Sequence, residues 1–259
     1  MRSDGYYRLV LRELRISKEK LFQIIRVGLP AGIQGAVFSI SNVLIQSSVN
    51  SFGYIAVAGN TAASNLEGFV YTSMNALYQA SLSFTSQNVG ARKIHRIVPV
   101  LLRCQAVVVA VGAGMGILVV AFGNTLLSIY SSDPAVIAYG LQRLQVICLT
   151  YFLCGMMDVA CGSIRGMGYS MVPTVVSLAG ACGLRILWIF TVFLFRRTLF
   201  VLYLSYPVSW MVTIAAHLIC FLVFFRRLKK GTSSEQPDGP EPPAGEQEER
   251  READAAVIS

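Results

Sequence analysis

Two carboxylates stand out because they sit inside apolar sequence. Glu67 and Asp158 each lie within a run long enough, and otherwise apolar enough, to span a membrane. An ionisable group in such a place is costly unless it faces a partner or a wet cavity. Around Glu67, the residues Asn60, Ser64, Tyr71, Asn75, Tyr78 and Thr85 recur at steps of three, four or seven. At about 100° per residue these steps make one narrow helical stripe. Such a stripe cannot face lipid, so it must face a bundle interior or a wet cavity. Around Asp158, the residues Arg143, Thr150, Cys154, Cys161 and Arg165 make a second stripe by the same steps. A carboxylate in a low-dielectric cavity can bind and release a proton near neutral pH, or ligate Na⁺ when ionised. That is the chemistry of ion-coupled transport. The plainer alternatives are structural: Asp158 is close enough in sequence to Arg165 to pair locally at an interface, and Glu67 can lie near the outer interface.

A third polar lining, Gln34, Asn42, Gln46 and Asn50, comes after Pro30. Proline in a helix interior removes a hydrogen bond and kinks the chain, so Pro30 is the candidate gating kink. Arg185 also falls mid-run. It reads as a structural counter-ion, roughly 10 Å deeper than Asp158 by helical rise, which makes a direct pair between them marginal. His217 reads as a hydrogen-bonded packing residue in preference to a proton relay.

The elements that must position these groups are membrane helices. Hydrophobic residues make up 54% of the 259 and charged residues 14%, against about 25% charged in soluble domains. Apolar runs place spans at roughly 28–50, 58–86, 97–122, 135–163, 171–195 and 199–225. The fold class is therefore all-α, a six-helix membrane protein. Residues 1–27 form a basic cytoplasmic lead-in, 28–230 the six-helix lobe, and 231–259 an acidic tail whose composition predicts disorder.

Charge supports this division and sets an orientation. The tail carries eight acids against Arg250 and Arg251, so its −6 within a net +8 leaves +14 on residues 1–230. Those basic residues cluster in the lead-in, at Arg92, Lys93 and Arg96, at Arg165, and at Arg226, Arg227, Lys229 and Lys230. With six spans these connections share one side, with Arg196 and Arg197 as exceptions, so both termini are expected in the cytoplasm of a multi-pass cell-membrane protein. This is a membrane-loop pattern, and no nucleic-acid partner is expected. The six cysteines contain no C-x-x-C pair, so neither a metal site nor a disulfide framework is expected. No H-E-x-x-H, G-x-S-x-G or Walker A pattern occurs, so no enzyme activity and no cofactor beyond a coupling ion is expected. No cleavable signal is expected, because the first apolar stretch leads into a full span. Small-residue pairs at Gly28/Gly32, Gly112/Gly116 and Gly162/Gly166 suit close helix packing.

Three stretches carry a family resemblance: Gly28-Leu-Pro-Ala-Gly-Ile-Gln34, Ser86-Gln-Asn-Val-Gly-Ala-Arg-Lys93, and Gly162-Ser-Ile-Arg-Gly-Met-Gly-Tyr-Ser170 with Pro173 just beyond it. In order and position they resemble the C-terminal six-helix lobe of multidrug and toxic compound extrusion (MATE) transporters, over about residues 1–230. The resemblance implies two six-helix lobes related by a pseudo-two-fold axis, with alternating access between them. It implies export of amphipathic, often cationic, drugs or metabolites in exchange for H⁺ or Na⁺. By position Asp158 resembles the family's C-lobe coupling acid, and Glu67 a glutamate of many bacterial members. The family acids of the first C-lobe helix have no carboxylate counterpart; Gln34, Asn42 and Gln46 stand there instead. At half the family's length, the chain is expected to be a fragment or truncated gene model lacking the N-terminal lobe, or else a half-transporter that pairs with a second copy. Its partners would be the bilayer, a small amphipathic substrate and that second lobe. Two alternatives remain: a flippase-like exporter of lipid-linked saccharides, which should have a more cationic cavity, and a non-transporting membrane assembly subunit.

Overall fold

Small residues decide which helix takes the centre. In the computed structural model, which describes residues 17–234, the helix Tyr151–Gly166 is buried along most of its length, through Gly155, Ala160, Gly162, Ser163 and Gly166 among others. Their small side chains let neighbouring backbones come close, which is the main source of packing energy between helices in lipid.

In chain order the helices are α1 (Lys18–Asn50), α2 (Tyr54–Gly90), α3 (Ile97–Ala121), α4 (Gly123–Ser128), α5 (Pro134–Ile147), α6 (Tyr151–Gly166), α7 (Met171–Ser177), α8 (Leu184–Phe190), α9 (Val192–Phe195) and α10 (Leu199–Ser234). Asp133 caps α5, accepting from the Ala135 N–H at 2.8 Å ahead of Pro134, a favoured helix start. A single 3₁₀ turn, Cys148–Thr150, joins α5 to α6 into one rod, and a π-helical turn, Leu178–Gly183, joins α7 to α8.

Close approaches give the directions. A methyl group at Gly59 would stand 2.5 Å from the Val136 carbonyl, and one at Gly162 2.9 Å from the Tyr78 carbonyl. The rod α5–α6 therefore runs parallel to α2. Gly112 packs on Phe152, and a methyl group at Gly116 would run into the Cys148 carbonyl oxygen, so α3 runs back antiparallel. Two of the three expected glycine pairs thus sit at helix contacts. Gly28 and Gly32 do not, with nothing near them to pack against among the described residues. Pro207 lies buried within α10 and withholds a hydrogen bond from the Tyr203 carbonyl.

Among the described residues, four segments are long and apolar enough to cross a membrane: Ile94–Ala121, Pro134–Gly166, Met171–Phe195 and Leu199–Lys230. The sequence expectation is six. The helices α1 and α2 have the length, at 33 and 37 residues; the Asn, Ser, Thr and Gln residues and Glu67 of α2 lower its hydropathy, and part of α1 lies outside the residues described in full. The helix α1 also begins at Lys18, ten residues ahead of the expected span, because Lys18–Arg26 contains nothing that breaks a helix. It stays helical through position 30, where the side chain of the expected kink lies outside the described structure. So do residues 1–16 of the expected lead-in and 235–259 of the expected tail.

Large apolar side chains cover the outside, including Phe69, Leu102, Ile117, Phe190 and Phe195. That is the inverse of a water-soluble surface, and it suits lipid. The connection holding Arg92, Lys93 and Arg96 lies at the same end of the bundle as the close of α6 and the last turns of α10, where Tyr169 stacks on Phe224 at 4.1 Å.

Candidate functional site: a charged cavity between the helices

A cavity of about 790 Å³ opens between α1, α2, α5, α6, α8 and α10. The α2 stripe forms one wall of it, with Asn60, Ser64, Glu67, Tyr71, Asn75 and Tyr78 all on the lining. Thr85, the last member, instead meets Ser163 at 3.4 Å in the α2–α6 seam, where Ser81 also bonds Ser163 at 2.9 Å. Gln34, Asn42 and Gln46 line it from α1, Asp158 from α6 and Arg185 from α8. Thr150 does not join them. It lies on the 3₁₀ turn and its hydroxyl donates back to the Val146 carbonyl at 2.8 Å, so the expectation that it lines the cavity is corrected by the break in helical register there.

The two carboxylates have different surroundings. Glu67 is 5% exposed and accepts two hydrogen bonds from Arg143, Nε to Oε1 and Nη2 to Oε2, both at 2.7 Å. This is the fork-to-fork geometry in which guanidinium and carboxylate bind most strongly. The third arm of Arg143, Nη1, donates to Asn60 Oδ1 at 2.6 Å, and Tyr203 donates to the same oxygen at 3.2 Å. Asn60 in turn donates through Nδ2 to Gln46 Oε1 at 2.8 Å. One network therefore ties α1, α2, α5 and α10 together, with every strong group in it satisfied.

Asp158 stands roughly 13 Å further along the bundle axis, level with the Met74–Tyr78 turn of α2. Its carboxylate forms no hydrogen bond or ion pair among the described residues, and it faces the cavity beside Tyr71 and Tyr78. Two turns on, Arg165 reaches back from the end of α6. It donates to Tyr78 Oη at 2.7 Å, to Gln34 Oε1 and to Thr174 Oγ1 at 3.1 Å. That joins α1, α2 and α7 at the basic end of the cavity. Local pairing of Asp158 with Arg165 does not occur; the guanidinium takes neutral oxygens instead.

Arg165 is one of the residues that sequence reasoning misplaces. Its charge assigns it to a connection between spans, yet it lines the cavity together with Arg143 and Arg185. The signal is present, since Arg165 shares the Asp158 stripe. Arg143 is on that stripe too, but nothing in the sequence alone links it to Glu67 across 76 positions. The aromatic wall of Tyr206 and Trp210, which meet edge to face at 5.8 Å, is missed entirely because it reads as ordinary apolar span. His217 packs between α7 and α10, within 3.3 Å of the Pro173 carbonyl and away from the cavity. No cluster of His, Cys, Asp or Glu among the described residues could hold a metal ion.

Comparison with known proteins agrees on the architecture. The MatE family model matches residues 30–191. "Probable multidrug resistance protein YoeA" of Bacillus subtilis is 25% identical over 177 residues, covering 68% of this chain and 38% of that protein. "Multidrug export protein MepA" of Staphylococcus saprophyticus is 23% identical over 180 residues, covering 69% of this chain and 39% of that protein. The solved structure described as the outward-facing conformation of a multidrug resistance MATE family transporter of the MOP superfamily superimposes with a TM-score of 0.77 at 18% identity. It covers 88% of this chain and 51% of that one. The Vibrio cholerae MATE transporter VcmN in its bent form gives 0.73 at 16% identity, covering 84% and 49%. The chain spans about half the length of the solved transporters and less than two fifths of the curated relatives.

Proposed function

The chain belongs to the MatE family, and on that premise we propose that it forms one six-helix lobe of a secondary active exporter of amphipathic small molecules, with Asp158 as the coupling carboxylate for H⁺ or Na⁺. The observation that carries the reading is the contrast between the two acids. Glu67 is saturated by Arg143 and Asn60 lies beside it, so its charge is spoken for. Asp158 is on the cavity wall with its oxygens unbonded among the described residues, where an arriving ion finds a ligand and departing cargo finds space. The bound ion and the cargo then exclude one another from one cavity, which is the condition for exchange.

The helices α1 and α2 complete the six spans, their polar faces turned to the cavity and their apolar faces to lipid. The concentration of basic residues at one end supports both termini on the cytoplasmic side. Alternating access needs a second lobe, supplied by an N-terminal partner of similar architecture or by a second copy of this chain about a two-fold axis.

The experiment is efflux of an amphipathic dye from vesicles containing the complete transporter, driven separately by imposed H⁺ and Na⁺ gradients. One of the two gradients should drive uphill dye movement. Movement under neither removes the exporter reading. Crosslinking in native membranes tests the second lobe: a species held strictly at 28.2 kDa that still transports would contradict it.

A further inference from the structure

Arg185 differs from the other two cavity arginines in what satisfies it. Arg143 is neutralised by Glu67, and Arg165 is held by three neutral oxygens. Arg185 is only 3% exposed, yet it makes one hydrogen bond, from Nε to Ser209 Oγ at 3.0 Å, and no ion pair among the described residues. Its guanidinium lies over the Tyr206 ring at 4.2 Å and near Trp210 at 5.5 Å, on the lining of the cavity. A buried cation with free donors and no counter-ion is costly to hold, and an incoming anion relieves that cost.

The backbone is arranged to deliver this side chain. The π-helical turn Leu178–Gly183 ends two residues before Arg185 and slips the register of the helix after it, a feature often found at functional sites. The slip is held by close packing: a methyl group on Gly180 would collide with the Thr213 hydroxyl of α10. Alongside, Tyr151 meets Trp210 edge to face at 5.3 Å, so the guanidinium is bordered by an aromatic wall suited to a flat apolar body.

We propose that Arg185 docks an anionic group of the cargo, so that the substrates are amphipathic aromatic carboxylates and similar organic anions. This inference rests on the exporter reading above. It assigns the cargo's charge to Arg185 on the α8–α10 wall and leaves Asp158 on α6 to the coupling ion. The cavity inventory agrees, since Glu67 and Asp158 face three arginines and the balance is positive even with both acids ionised.

The test is equilibrium dialysis of the purified chain in lipid nanodiscs with radiolabelled 2-naphthylacetate and 2-naphthylacetamide, which share a ring and differ in charge. The wild type should bind the carboxylate about 10- to 100-fold more tightly than the amide, the range expected for a charge-assisted hydrogen bond. Arg185→Gln should weaken the carboxylate far more than the amide and bring the two to near parity, and Arg185→Lys should retain part of the preference. Equal binding of both probes by the wild type, no binding of either, or an equal loss of both in Arg185→Gln overturns the assignment. Efflux separates the two readings. If naphthylacetate binds through Arg185 but neither ion gradient moves it or any dye, the exporter reading fails and the anion site stands. If a cationic dye is exported and naphthylacetate never binds, the anion site fails and the exporter stands.

Discussion

Replacing Glu67 by Gln should destabilise the bundle without abolishing coupling. Arg143 bonds both oxygens of Glu67 at 2.7 Å, with both side chains buried. Two charge-assisted hydrogen bonds at about 1.5–3 kcal/mol each give about 3–6 kcal/mol, which overlaps the ~3–5 kcal/mol for breaking a buried pair from one side. The amide retains one acceptor for Arg143, so the expected loss for Glu67→Gln is about 2–4 kcal/mol. The doubly changed Glu67→Gln/Arg143→Met leaves no stranded charge. Its loss should fall short of the sum of the two single losses by about 1.5–3 kcal/mol. The assay is reversible unfolding in mixed micelles, monitored by circular dichroism, on all four proteins of the cycle. A Glu67→Gln loss under about 0.5 kcal/mol, or strict additivity in the double variant, would refute the claim that this pair is a structural clasp. Ion-driven efflux by the folded fraction of Glu67→Gln should persist; its complete loss would return Glu67 to a coupling role.

Helix packing and the cavity's basic end can be probed in the same way. Gly116→Ala, which drives a methyl group into the Cys148 carbonyl, should lower stability by about 1–3 kcal/mol, while Gly114→Ala, with open space around it, should leave it unchanged or slightly raised in the same assay. Arg165→Gln should loosen the contact between α1, α2 and α7, and in a variant whose single cysteine is Cys161 the maleimide labelling rate should rise several-fold; an unchanged rate would mean that Arg165 does not hold that end closed.

Much of this cavity is legible in the sequence because polar residues in apolar surroundings have few places to go. The α2 stripe needs only the helical period, and six of its members from Asn60 to Tyr78 do line the cavity. The rest depends on contacts that periodicity does not encode. Glu67 and Asp158 look alike in sequence, and only the packing of α5 against α2 gives one of them an arginine. Arg165 precedes Gly166-Met-Gly168, a turn in which Gly168 takes φ 93°, so it reads as a loop residue. Its long side chain nevertheless turns back along α6 to the cavity. The π-helical turn at Leu-Ala-Gly-Ala-Cys-Gly resembles any small-residue helix, and its register slip is set by the seat of Gly180 against Thr213. Apolar counting also treats Tyr206 and Trp210 as span, although their ring faces carry the Arg185 guanidinium.

The most direct measurement compares two modes of transport in Asp158→Asn, in vesicles holding the complete transporter. With the ion gradient imposed, uphill efflux of labelled cargo should be lost. With no ion gradient and cargo on both sides, exchange of labelled for unlabelled cargo should continue, because the cavity and its aromatic wall remain. Gradient-driven efflux at the wild-type level would contradict the assignment of Asp158 as the coupling carboxylate.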